Sequence, residues 1–223
     1  MAAAPREPLS MAAFQSAANV SRETMARLQI HAALLGKWNR AINLVARDSL
    51  ADLWRRHFLD SAQLWPHLPP PPEGRPRVLV DLGSGAGFPG LVLAIMGAGE
   101  VHLIEADQRK AAFLREAARA TGTAAAVHDC RIEDLPAIAA DVVTARACAP
   151  LDRLLGLAAP FLRSAAPGGS GGVGLFLKGR SLHRELTDSA GKWTMRFDLF
   201  PSRTDPAAQI LRLSCLTEGN CRP

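Results

Sequence analysis

The stretch Val78–Gly90, VLVDLGSGAGFPG, constrains this chain more than any other, because an apolar run collapses there into glycines. Val78, Leu79, Val80 and Leu82 read as a short buried parallel strand. Gly83, Gly85, Gly87 and Gly90 then let the backbone turn tightly into a helix running from about Phe88 to Met96. Such a turn brings the main chain close to a ligand. The helix after it is expected to aim its free amide groups and positive end at whatever sits over the loop.

Three ligand classes use glycine turns of this kind. A phosphate-binding P-loop needs Gly-Lys-Ser/Thr at its end, and no lysine occurs between Val78 and Gly99, which excludes it. Gly85, Gly87 and Gly90, with Glu105 downstream, fit a dinucleotide fingerprint. The string Asp81–Gly87, an acid followed by alternating glycines, also matches the first motif of S-adenosylmethionine-dependent methyltransferases. In either case Gly85 marks a point of close approach, and Glu105, ending the second strand, can accept both ribose hydroxyl protons.

The rest of the chain separates these two. Ser21 is an N-cap for a helix to about Ala41 whose Met25, Leu28, Ala32, Leu35 and Ile42 form an apolar face. After a loop around Asn43, a second helix carries Leu50, Leu53, Trp54, Phe58, Ala62 and Trp65 on one side. It contains RRHFLDS, where Arg56 and Asp60 are spaced as an i,i+4 pair and His57 lies beside the apolar stripe. The first dozen or so residues, with Pro5 and Pro8, read as frayed, and LPPPPEGRPR, Leu68–Arg77, reads as a stiff linker.

Beyond the linker, apolar strands near Val101–Glu105, Ala124–His128, Asp141–Ala145 and Val173–Leu177 alternate with helical patterns, which implies a parallel, doubly wound sheet. Met195–Phe200 and Gln209–Leu213 break the rhythm, since no helix separates them, and are expected to pair antiparallel. A parallel sheet closed by such a hairpin is the methyltransferase layout. The expected fold is therefore α/β, a Rossmann-like class I methyltransferase sheet, mostly parallel with an antiparallel C-terminal hairpin, plus an N-terminal helical extension. The corresponding division is 1–67 for the extension and 77–215 for the methyltransferase domain.

Composition bounds the partners. The net charge is +5, with nine Lys/Arg against six Asp/Glu before Arg77 and seventeen against fifteen from there on, consistent with an anionic partner but not diagnostic of one. No apolar run approaches a membrane span, and the N-terminus MAAAPREPLS lacks the apolar centre of a secretory signal, so a cytoplasmic protein is expected. Cys130, Cys148, Cys215 and Cys221 lack paired ligand spacing, which argues against a metal site and, in that compartment, against disulfides, leaving isolated buried thiols.

Several strings, taken in order, resemble one family: KWNRAINL (Lys37–Leu44), RRHFLDS, VDLGSGAGFPG, HLIEADQRKAAFL (His102–Leu114), DVVTARA (Asp141–Ala147) and FLKG (Phe176–Gly179). Together they are similar to the bacterial small-subunit ribosomal RNA methyltransferase G family, also called glucose-inhibited division B, over about Asn19 to Leu213. The resemblance implies a cytoplasmic enzyme, monomeric in our reading, that moves a methyl group from S-adenosylmethionine to guanine N7 in the decoding-region loop of 16S rRNA, in naked RNA or the small ribosomal subunit. It implies that Gly83 and Phe88 line the cofactor pocket, that Ile132 and Glu133 meet the adenine end, and that Arg146 lies beside the cofactor. Asn43, Arg56 and Lys178 are candidate RNA contacts, Arg56 in the helical unit and Lys178 after the fifth strand, where cations can flank the cofactor mouth. The chain departs from the family in Gln108-Arg109-Lys110, where paired lysines are common, and in Ala145-Arg146-Ala147, where Ser-Arg-Ala is common.

Guanine N7 carries a free lone pair at neutral pH, so the reaction needs in-line positioning rather than a general base. Arg146 and His57 are then positioning candidates. The segment Ala147-Cys148-Ala149-Pro150 does not supply the Asn/Asp-Pro-Pro-aromatic string of many amino-directed methyltransferases. A small-molecule methyltransferase and an RNA-binding protein without catalysis are the alternatives; the intact glycine loop and Glu105 weigh against the second.

Overall fold

A computed structural model describes residues 7–163 and 171–219. Strands β1 (Val78–Leu82), β2 (Glu100–Ile104), β3 (Ala125–His128), β4 (Val142–Arg146) and β5 (Val173–Lys178) run parallel. β7 (Gln209–Glu218) lies antiparallel to β5 and forms a hairpin with β6 (Trp193–Pro201), giving the order β3-β2-β1-β4-β5-β7-β6. The chain runs outward from β1 to β3 and then returns to the other side of β1. The carboxyl ends of β1 and β4 therefore flank the switch point where open α/β sheets bind ligands.

Alternating residues of each strand feed two cores. Leu79, Val101 and Leu103 pack under α4 (Gly90–Ile95) and α5 (Gln108–Ala120), whereas Val80, Leu82, Ile104, Val143 and Phe176 pack with α6 (Leu151–Ala158) and Leu182 of α7 (Leu182–Ser189). The helices preceding the sheet have no core of their own. Phe14 of α1 (Met11–Ala18), Leu28 and Leu35 of α2 (Arg22–Trp38), and Phe58 join the same buried cluster as Leu79, Leu91 and Leu103.

Several sequence expectations are corrected. The start is not frayed as far as expected: Ser10 caps α1, its hydroxyl accepting the Ala13 amide at 3.1 Å, while Pro5 lies outside the described residues. α2 is capped by Ser21 but ends at Trp38, because the buried Asn39 turns its side chain onto the next loop instead of extending the helix. The expected second helix is broken into a 3-10 turn (Arg47–Asp52), a π-helical segment (Trp54–Leu59) and one α-turn, α3 (Asp60–Ala62). An i→i+5 bond from the Asp60 amide to the Arg55 carbonyl marks the wider winding, and Arg56 and Asp60 do not pair. Arg56 meets Asp48 at 3.1 Å and Asp60 meets Arg146 at 3.2 Å.

The proline run is pinned as well as stiff: buried Arg77 donates to the Pro69 carbonyl at 2.9 Å and to the Ala98 carbonyl at 2.7 Å. Nor are the cysteines buried, since Cys130 and Cys148 are half-buried and Cys215 is exposed; Cys221 lies outside the described residues. No group of three or more His, Cys, Asp or Glu able to hold a metal occurs among the described residues.

Asp141 fastens the linker to the sheet. Its carboxylate accepts two bonds from Arg75 (2.6 and 2.7 Å), one from Arg163 (2.9 Å) and one from the Val78 amide that opens β1 (2.9 Å). Burial pushes this carboxyl up, but the Arg75 bonds and the Val78 amide outweigh it and hold the pKa at about 2. A depressed carboxyl stabilises the fold above its unfolded value of about 3.9, and that contribution is lost as pH falls toward 2. Asp141→Asn should lower stability by about 1–2 kcal/mol at pH 7, discounted because both guanidinium groups are about a third exposed. Urea unfolding should show the gap between variant and wild type closing below pH 4; a gap independent of pH would refute the assignment.

Candidate active site

The loop after β1 owes its shape to left-handed backbone at Gly83 (φ 67°), Gly85 (φ 55°) and Gly87 (φ 87°). A β-carbon on Gly87 would stand 2.8 Å from that of Leu91, whereas one on Gly85 would meet nothing closer than 3.9 Å, so Gly85 is required by its φ and by whatever must approach it. Four amides of this turn are taken within the protein, including that of Phe88, where the helix with free amides was expected to start. Ser84 donates to the Ile104 carbonyl (2.9 Å), Gly85 to the Glu105 carboxylate (2.8 Å), and Gly87 and Phe88 to the Ser84 carbonyl (2.7 and 3.2 Å). α4 starts at Gly90 and is six residues long, so helix polarity contributes little here.

Asp81 lies fully buried beneath the loop, where its Oδ1 accepts the Thr144 hydroxyl at 2.7 Å and its Oδ2 has no partner. Burial raises this carboxyl to about 6, against the opposing pull of Thr144. Gly90 is obligatory above it, because a β-carbon there would lie 2.5 Å from that of Asp81.

Glu105 stands just past β2, with Oε2 on the Gly85 amide and Oε1 on the Asp107 amide at 2.8 Å. Each oxygen keeps a lone pair for a ligand. Two cavities meet at Gly83 and Glu105. One, of about 440 Å³, runs past Gly85, Phe88, His57 and Arg146 to Leu44 and Val45; the other, of about 200 Å³, is walled by Ile132, Glu133, Cys130 and Cys148. The first is mainly polar around the loop, the second offers an apolar slot beside a carboxylate. That pairing fits an amino-acid end, a ribose and an adenine laid across the glycines.

Arg146, the last residue of β4, sits where the first cavity meets the helical extension. It donates to the Arg56 carbonyl (3.0 Å), to Asp60 Oδ2 (3.2 Å) and to His57 Nδ1 (3.0 Å), and lies 5.0 Å from the centre of the Phe88 ring. Burial moves the Asp60 carboxyl above its ordinary range, opposed by Arg146 and Thr204.

The tautomer of His57 follows from its partners. Arg146 only donates, so Nδ1 is the acceptor; the Ser49 hydroxyl donates to the Ala46 carbonyl (2.6 Å) and accepts from His57 Nε2–H (2.7 Å). His57 is therefore neutral, its lone pair occupied, and burial together with Arg146 lowers its pKa to about 3.

Two supporting residues escaped sequence reasoning. His31 of α2 donates to the Ala86 carbonyl of the glycine loop (2.9 Å) and stacks on Phe88 at 5.2 Å, with burial lowering its pKa to about 4. Its spacing from Leu28 and Leu35 places it on the apolar face, which was the available signal. Asn39, rather than Asn43, holds the loop at the cavity wall, its Oδ1 accepting the Leu44 and Val45 amides at 2.8 and 2.9 Å; Asn43 is exposed beside them. Of the expected cations, Arg56 is half-exposed. Lys178 is committed to Glu185 at 2.5 Å and the Ala149 carbonyl at 3.2 Å, with a tenth of its side chain accessible.

The strand order with its terminal hairpin, the glycine turn at the switch point and a carboxylate at the end of β2 define an S-adenosylmethionine-dependent methyltransferase. The model of the family described as rRNA small subunit methyltransferase G matches residues 24–202. A relative of that name from Rhodospirillum centenum is 62% identical over 201 residues, covering 90% of this chain and 88% of its own. One from Rhodospirillum rubrum is 57% identical over 201 residues, covering 90% and 95%. The chain belongs to the rRNA small subunit methyltransferase G family, and its substrate class is ribosomal RNA.

Among solved structures, a mutant of MtNAS in complex with S-adenosylmethionine aligns with a TM-score of 0.54 at 14% identity, covering 93% of this chain and 84% of that one, a likeness of fold. No helix among the described residues is long and apolar enough to cross a membrane.

The Ser49–His57–Arg146 chain is directly testable. Nitrogen-15 NMR of the imidazole should find His57 neutral with its proton on Nε2 from pH 8 to pH 5, and Arg146→Ala, which removes the donor that Nδ1 accepts, should admit the other tautomer. Because the folded pKa lies below the ordinary value of about 6.5, stability is complete above that pH and falls as pH drops through it toward 3. A wild-type His57 that titrates near 6.5 would contradict this arrangement.

Proposed function

We propose that this chain transfers a methyl group from S-adenosylmethionine to N7 of a guanosine in the decoding-region loop of 16S rRNA, as a cytoplasmic monomer acting on the small subunit or its RNA. The observation that carries the reading is the occupied lone pair of His57: the imidazole facing the trough is held by Arg146 and is not available as a base. An acceptor atom with its own lone pair, such as guanine N7, suits such a site; a hydroxyl or an amino group does not.

S-adenosylmethionine, when bound, supplies an electrophilic methyl group on a positively charged sulfur. Gly83, Gly85 and Phe88 would form the wall behind it, and Glu105 would accept the ribose hydroxyls through lone pairs not used by Gly85 and Asp107. Ile132 and Glu133 would enclose the adenine. Arg146 would orient the incoming base, its guanidinium immobilised by Asp60, His57 and Phe88. Residues 1–67 would act as an extension of the catalytic domain 77–215. Arg56 and Asn43 would meet the RNA backbone as accessible groups, while Lys178, bound to Glu185, would shape the wall more than it adds free charge.

Glu105→Ala should weaken S-adenosylmethionine binding by about 1–3 kcal/mol in calorimetry, with a smaller effect on turnover at saturating cofactor. Unchanged affinity in a folded Glu105→Ala or Gly85→Val protein would remove the cofactor assignment.

For the acceptor, borohydride and aniline cleavage of RNA from treated small subunits should reveal one 7-methylguanosine. Single-turnover transfer, with both substrates saturating, should be flat between pH 6 and 8. A limb near pH 6.5 that disappears in His57→Asn would mean that His57 moves a proton and that N7 is not the target.

A further inference from the structure

A third cavity, of about 310 Å³, opens off the trough at its far end; Arg56, Arg146 and Ala147 line both. That volume is at the small end of ligand pockets, about 300–1,000 Å³. Three carboxylates face it, Asp60, Glu185 and Asp205. Two of them are already engaged. Asp60 accepts Gln63 (2.9 Å) and Thr204 (2.7 Å) on one oxygen and Arg146 on the other. Glu185 accepts Ser181 (2.5 Å) on one oxygen and the Leu151 amide (2.8 Å) and Lys178 (2.5 Å) on the other.

Asp205 differs. It is solvent-exposed; its Oδ1 accepts the Ala207 amide at 2.8 Å, and among the described residues nothing donates to its Oδ2 and no cation pairs with it. It stands on the turn between β6 and β7, which is anchored: the Arg203 amide donates to Gln63 (2.8 Å), Thr204 to Asp60, and the Arg203 guanidinium to the Ala17 carbonyl (3.1 Å). A carboxylate with spare lone pairs is thus held on a fastened turn, facing a cavity that joins the methyl-donor trough.

Resting on the proposed function, the chemistry of guanine assigns this carboxylate a partner. N7 and O6 share one edge of the base; N1–H and the N2 amino group share another. Arg146, Ala147 and Asp205 line the same cavity, so a base lying in it with N7 turned to the trough would present its N–H pair to the β6–β7 turn. We propose that this cavity receives the target guanine and that Asp205 accepts N1–H and N2–H from it as a two-point pair. Adenine would set the lone pair of its N1 against the same carboxylate, so Asp205 is a specificity-determining residue.

It also bears on rate. As the N7 lone pair forms the new N–C bond and the C–S pair stays with sulfur, positive charge passes to the purine without movement of a proton. A carboxylate beside N1–H stabilises that cation.

The test is Asp205→Asn, which retains an oxygen for the Ala207 amide but replaces the free acceptor with a donor. With small subunits purified from cells lacking the enzyme, single-turnover methyl transfer should slow roughly ten- to a hundredfold. The affinity for S-adenosylmethionine by calorimetry and the melting temperature should be unchanged. A wild-type rate in Asp205→Asn, or a loss of cofactor affinity in step with rate, overturns the proposal. These outcomes are read only on 7-methylguanosine found by aniline cleavage with the wild-type enzyme, so absence of that product marks failure of the N7 reading itself.

Discussion

The guanidinium of Arg146 is the point on which the site depends. It belongs to β4, yet three of its four contacts, the Arg56 carbonyl, His57 and Asp60, come from the helical extension, and the fourth, Phe88, comes from the glycine loop. A cation with a fifth of its side chain accessible is tolerated there because one carboxylate, one imidazole lone pair and one carbonyl take three of its five N–H donors. The arrangement leaves the guanidinium little freedom to reorient, which suits the proposed reaction, one that rests on alignment.

That dependence explains why the extension shares a core with the sheet. Phe14, Trp54, Phe58, His31 and Phe88 form a continuous set of ring contacts, from 4.5 to 6.2 Å between centres, leading from α1 to the glycine loop. His31 adds a hydrogen bond to the loop carbonyl at Ala86. The loop is thus braced from both sides, by Glu105 beyond β2 and by α2. Two neutral buried imidazoles are part of that bracing. Each favours the fold most above the ordinary imidazole pKa and less as the unfolded chain takes up protons on acidification.

The π-helical winding of Trp54–Leu59 has a consequence for the site as well. It carries Asp60 out of register with Arg56 and leaves it to join Arg146, Gln63 and Thr204, so one carboxylate ties the extension, β4 and the β6–β7 turn together. The same turn presents Asp205 to the third cavity.

Local pattern alone determined a good deal. The apolar runs ending in glycine located β1 and its turn, the strand–helix alternation implied the parallel sheet, and the missing helix between the last two strands implied the hairpin, because period and turn residues are properties of contiguous sequence. That Gly83 and Gly85 lie in the turn after β1 and Glu105 directly after β2 was legible for the same reason. What the sequence could not specify depended on partners far along the chain. The Arg56–Asp60 spacing suggested a pair that π winding prevents, Lys178 looked like a free cation until Glu185 was folded against it, and the expected helix start at Phe88 was to have a free amide, which the Ser84 carbonyl accepts. The protonation of His57 was likewise a tertiary matter, since Ser49, eight residues away, and Arg146, eighty-nine away, decide it together. Propensity and periodicity act over a few residues, whereas a hydrogen bond between distant residues exists only once the chain has brought its donor and acceptor together.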